Sequence, residues 1–101
     1  MKIIKRSGKE TGFDASKIID AVTKANQEVA ESDQLSQGQI EAIAERITKV
    51  CANMERIYNV EEIQDMVENE IMGYNAFEVA RKYITYRYKR ALVRKSNSTD
   101  Q

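Results

Sequence analysis

The chain has 101 residues with one cysteine, no histidine and no proline, and its sixteen Lys/Arg balance sixteen Asp/Glu. That length carries a single modest core. The lone Cys51 and the absence of histidine exclude an internal disulfide, a Cys/His zinc site and any histidine-based acid–base or nucleophilic chemistry. No apolar run is long enough to span a bilayer and charge follows Met1 at once, so a soluble, cytoplasmic chain without a signal peptide is expected. The charge is segregated: residues 1–24 hold six Lys/Arg and three Asp/Glu, residues 25–80 three and twelve, and residues 81–95 seven and none. Basic ends around an acidic middle fit either a solvated surface with a basic last helix, or two ends that meet to bind an anion.

Taken in order, Ile3 and Ile4 beside Lys5 and Arg6 read as a short strand. Ser7-Gly8 and Gly12 supply the turn chemistry for a hairpin returning through Phe13. Asp14 is an N-cap for a first helix with an apolar stripe of Ile18, Ile19, Val22, Ala25 and Val29, ending near Ala30. After a polar connector at 31–34, Ser36-x-x-Gln39 reads as a capping box. It opens a second helix whose stripe is Ile40, Ile43, Ala44, Ile47, Val50, Cys51 and Met54. Cys51 on that stripe is read as structural.

Ile57, Tyr58 and Val60 suggest a third short strand, and Asn59-x-x-Glu62 a second capping box. The third helix then turns Ile63, Met66, Val67 and Ile71 inward and stops at Gly73. Asn75-x-x-Glu78 is expected to open a fourth helix with an inward line of Phe77, Ala80, Ile84, Tyr88 and Ala91 or Leu92. Residues 96–101 have the composition of a frayed end or linker. The fold class expected is α+β, mainly α: a four-helix bundle capped by a small two- or three-stranded sheet made by the N-terminal hairpin and the segment before the third helix.

Lys5, Arg6, Lys9 and Lys17 cluster at the first strand, its turn and the first helix start, where free backbone amides and the helix dipole favour a phosphate. On the fourth helix Lys82, Tyr86, Lys89 and Arg90 share a face by spacing. An adenine would need an apolar slot, which Ile3, Ile18 and Val60 could line, and a polar edge reader, which Gln64 could supply. No Walker or Rossmann glycine loop occurs. Spacing alone leaves open a plain helical bundle with a basic face, and a nucleic-acid binder using residues 81–95 with its tyrosines stacking on bases.

At IIKRSGKETGFDASKI the chain resembles the ATP-cone, a regulatory nucleotide-binding domain that usually opens with a Lys-Arg-Asp-Gly turn, Phe-Asp and a Lys-Ile pair. NVEEIQDMVENEIM and ARKYITYRYKR are similar to the rest of the cone. They look most like the N-terminal domain of anaerobic, glycyl-radical ribonucleoside-triphosphate reductases. The resemblance implies phosphate contacts from Lys5, Arg6, Lys17 and Lys89, adenine contacts from Ile3, Ile18 and Val60, and polar contacts near ribose and base from Asp14 and Gln64. Ser7 stands where the family usually has Asp, and Thr11 where some members are acidic.

By the same resemblance, residues 1–95 would be the cone and 96–101 a tail or linker to a catalytic domain. The ligand would be ATP or dATP with Mg²⁺, without turnover and with no catalytic residue or protein-held metal in this chain. The partners implied are the parent's catalytic domain and other copies of the domain, with no membrane and no nucleic acid. A rival reading is the nucleotide-sensing domain of a transcriptional repressor of reductase genes, which would carry a zinc ribbon ahead of the cone.

Overall fold

The computed structural model describes residues 2–4, 10–53 and 57–98. The described residues are mainly helical, with four α-helices among them: α1 (Ala15–Gln27), α2 (Gln37–Asn53), α3 (Val60–Gly73) and α4 (Phe77–Ser98). Among the described residues three short strands, β1 (Lys2–Ile4), β2 (Glu10–Gly12) and β3 (Tyr58–Asn59), pair in the order β2-β1-β3. β1 runs antiparallel to β2, with Lys2 opposite Gly12, and parallel to β3, with Ile4 opposite Asn59.

Local chemistry explains the helix boundaries. Asp14 caps α1 by accepting from the Ser16 amide. At α2 the Gln39 amide donates to the Ser36 hydroxyl while the Gln39 side chain accepts from the Ser36 amide, the reciprocal box expected. Asn59 and Glu62 make the same exchange at α3. α1 ends at Gln27, before the anticipated Ala30, and the connector forms a 3₁₀ turn at Glu31–Asp33.

The turn into α4 differs from expectation. Asn75 does not open α4: its φ of 62° is left-handed, and its amide donates to the Met72 carbonyl while the Ala76 amide donates to that of Ile71. This is the Schellman pattern that closes α3, with Asn in the place usually held by glycine. Glu78 instead pairs with Arg81 one turn on.

Contacts run α1 to α2, α2 to α3, α3 to α4 and α4 back to α1 around one core, and the three-residue connection 74–76 with the Arg87–Asp65 pair sets α4 antiparallel to α3. Ile40, Ile43, Ile47, Ile71, Val22, Val67 and Val79 are its most completely buried large side chains. The structure corrects the expected inward positions of Val50 on α2 and of the apolar line on α4. Val50 is 41% exposed, because the α2 stripe narrows to Ile47 and Cys51 near its end. Met66 is partly buried and packs against the core, as expected. The inward line of α4 is out of phase: Phe77, Ile84, Tyr88 and Leu92 face solvent, while Val79, Ala80 and Tyr83 are buried. Large apolar residues drew the line through one side of α4, whereas Tyr83 and Arg87 mark the side that packs. Met54 lies outside the described residues. α4 continues to Ser98, past the Lys95 boundary expected.

Between α1 and α2 the buried Asn26 side chain serves both backbone groups of Leu35. It donates to the carbonyl at 3.0 Å and accepts from the amide at 2.7 Å. An Asn26→Leu variant leaves both groups without a partner and should lose roughly 2–3 kcal/mol in urea unfolding. An Asn75→Val variant should lose about 1–2 kcal/mol, since a β-branched residue resists positive φ, whereas Asn75→Gly should unfold at or above the wild-type urea midpoint.

Candidate functional site

The topology sets the starts of α1 and α3 at two edges of one small sheet. β2 ends at Gly12, just before the Asp14 cap, and β3 runs straight into α3 at Val60. With β1 between them, the two helix starts are separated by two strand spacings, roughly 10 Å. α4 arrives at this end from the opposite direction. Lys24 of α1 lies 5.8 Å from the Tyr86 ring, and the Arg87 guanidinium donates to Asp65 at 2.9 Å and to Glu68 of α3. Residues of α4 beyond 87 therefore run toward the sheet and the α3 start.

The candidate residues are placed as follows. Ile3 is the middle residue of β1, paired with Thr11 on one side and Tyr58 on the other. Lys5 and Arg6 lie outside the described residues. Asp14 is exposed, and its Oδ1 takes the Ser16 hydroxyl at 2.6 Å and the Ser16 amide at 3.0 Å. These bonds, the hydroxyl's first, hold its carboxyl below the usual carboxylate range, and Lys17 adds to the effect.

Lys17 is exposed in the first turn of α1, a turn with no acidic residue. A cation there opposes the positive end of its own helix, a local conflict that an incoming anion would relieve. Ile18 is buried at 8% exposure within the core, and Val60, the first residue of α3, is half-buried. Lys89 is exposed on α4, on the flank shared with Tyr86.

Gln64 is the most informative position. Its Oε1 is buried and has no hydrogen-bond partner, although buried amide oxygens are almost always satisfied. It stands one turn before Glu68 on α3, on the side that meets α4. A donor supplied by a ligand at this end would satisfy it.

Arg87, Glu68 and Asp65 were not singled out from sequence. The Arg87 and Glu68 side chains are each only 17% exposed. Glu70 likewise joins α3 to α2 by accepting from Arg46 Nε at 2.5 Å, and Arg46 also donates to the Tyr74 hydroxyl at 2.7 Å. The available signal was the spacing of Asp65 and Glu68 facing a strongly basic α4. Burial also raises the Tyr83 phenol far above its ordinary range, so it stays neutral. Among the described residues no group of His, Cys, Asp or Glu is placed to hold a metal, and no helix is long and apolar enough to cross a membrane.

A family model described as the ATP cone domain matches residues 1–92. The chain is similar to an anaerobic ribonucleoside-triphosphate reductase of Haemophilus influenzae, 34% identical over 95% of this chain and 13% of the relative. It is also similar to a vitamin B12-dependent ribonucleoside-diphosphate reductase of Mycobacterium tuberculosis, at 37% over 92% of the chain and 13% of the relative. The alpha subunit of a ribonucleoside-diphosphate reductase of Chlamydia trachomatis is 28% identical over 99% of the chain and 10% of its own length. The chain thus spans about a tenth of the length of these relatives.

The depressed Asp14 value gives a pH test. A carboxylate whose folded pKa lies below its unfolded one stabilises fully above the unfolded value, about 3.9, and loses that contribution as pH falls through the folded value. Thermal melts from about pH 6 down to about pH 2, which bracket the ordinary carboxylate range, should therefore show a smaller drop for Asp14→Asn than for the wild type.

Proposed function

The chain belongs to the ATP-cone family, and from that premise we propose that it binds ATP or dATP at the end of the bundle where α1 and α3 begin, as the regulatory domain of a ribonucleotide reductase. The observation that carries this is the unpartnered Gln64 Oε1, a buried acceptor suited to the exocyclic amino group of adenine. Ile3, Ile18 and Val60 form the apolar surroundings of the base, and Asp14 lies toward the ribose. Lys5, Arg6, Lys17 and Lys89 take the phosphates, with Mg²⁺ bridging phosphate oxygens and needing few protein ligands. In this reading the three strands cap the bundle over the nucleotide, residues 1–95 form the unit, and the chain beyond leads to a catalytic domain.

No turnover is assigned to this chain. Nucleotide binding changes the parent's activity only by the difference in affinity between its active and inactive states, typically about 1–3 kcal/mol. ATP and dATP differ by one hydroxyl, so groups near the ribose, Asp14 first among them, carry the distinction between an activating and an inhibiting effector. The anaerobic class is the finer part of the reading. It is supported by the 34% identity with the Haemophilus reductase, while the relatives of other classes set its limit. The cytoplasm follows from the reductase assignment.

Calorimetry with ATP and dATP tests the proposal. Saturable heat is expected from both nucleotides. A folded chain giving none from either would reject it. A Lys5→Ala, Arg6→Ala double variant should bind ATP at least tenfold more weakly with a circular dichroism spectrum like the wild type.

A further inference from the structure

We infer that Arg90 is a further phosphate-binding residue of the nucleotide site, a role that rests on the nucleotide reading above. The cations of α4 fall into distinct situations. Arg81 is paired with Glu78, and Arg87 is drawn into Asp65 and Glu68. Lys82 and Lys89 lie on the flank of Tyr86, whose ring is met by Lys24 of α1. Arg90 differs from all of these.

It stands seven residues after the buried Tyr83, four after Tyr86 and three after Arg87, which puts it on the inward stripe of α4. Two turns further back the stripe is core at Tyr83, one turn back it is half-buried at Tyr86 and Arg87, and at Arg90 it is exposed. The stripe has run past the packed part of the bundle and into the end where α1 and α3 start. Because α4 runs antiparallel to α3 and Arg87 is level with Asp65 and Glu68, Arg90 is level with Gln64, three residues or about 4.5 Å nearer the sheet.

Arg90 forms no ion pair among the described residues, whereas Arg81 and Arg87 both do. An unpaired guanidinium on an inward stripe, level with an unpartnered buried amide and on a helix that packs against α1, whose first turn holds Lys17, has the chemistry to bind phosphate oxygens in a two-pronged fork. Lys89 is one residue away but rotated about 100° from it, so the two reach different sides of a triphosphate.

The test compares Arg90→Gln, Arg90→Lys and Arg81→Gln in the 101-residue chain, with ATP by calorimetry and adenosine by chemical-shift titration. Arg90→Gln should lose at least tenfold in ATP affinity while holding adenosine within about twofold. Arg90→Lys should recover part of the loss, and Arg81→Gln, which removes the same charge from a guanidinium already paired, should bind ATP as the wild type does. Wild-type ATP affinity in a folded Arg90→Gln variant would overturn the assignment, as would an equal loss in Arg81→Gln, which would mean diffuse charge. A wild-type chain that binds neither ligand would reject the nucleotide reading itself and Arg90's role with it. Binding by the wild type with no response to Arg90→Gln would reject Arg90 alone.

Discussion

The ion pair of Arg87 with Asp65 and Glu68 sets how the last helix lies on the rest of the molecule. Taking a guanidinium and a carboxylate largely out of water is unfavourable unless their geometry is satisfied, so the pair tolerates little sliding of α4 along α3. Its level fixes what comes next to what. Gln64 lies one turn toward the sheet on α3, and Arg90 one turn toward the sheet on α4. The two elements meeting at the candidate site are held in register by a bond outside it.

The other constraints act at the ends of helices. Reciprocal caps at Ser36/Gln39 and Asn59/Glu62 start α2 and α3 at defined residues, and Asn26 ties the α1 end to the approach to α2 through both polar groups of Leu35. Helix starts carry unsatisfied amides and a positive dipole end, so fixing where they lie also fixes where an anion is favoured. α3 offsets this with Glu61 and Glu62 in its first turn. α1 places Lys17 there. That contrast between two helices beginning at the same sheet is the electrostatic asymmetry of the site.

Much of this could be read from sequence wherever a local rule governs. The two Ser/Asn-x-x-Gln/Glu boxes and the Asp14 cap are short-range chemistry, and the isoleucine period of α2 leaves little choice of face. α4 defeated the same approach because its apolar residues lie on more than one side. Phe77, Ile84 and Tyr88 form a line as regular as a core stripe, yet the packed side is defined by Val79, Tyr83 and an arginine whose partners are on another helix. Charge spacing on one helix does not show which member is neutralised by its neighbour. Asn75 misled for a related reason: the residue types that cap a helix start also tolerate the left-handed conformation that ends one.

Cys51 gives the bundle a built-in reporter. The thiol is free, buried near the end of α2, and its desolvation raises its pKa, so in the closed fold it is shielded from reagents and mostly protonated. The thiolate is the reactive species, and it forms readily only when α2 separates from its neighbours. The rate at which a thiol reagent labels this protein is therefore a clock for bundle opening, and a ligand that joins α1, α3 and α4 at one end would slow that clock without touching the sulfur.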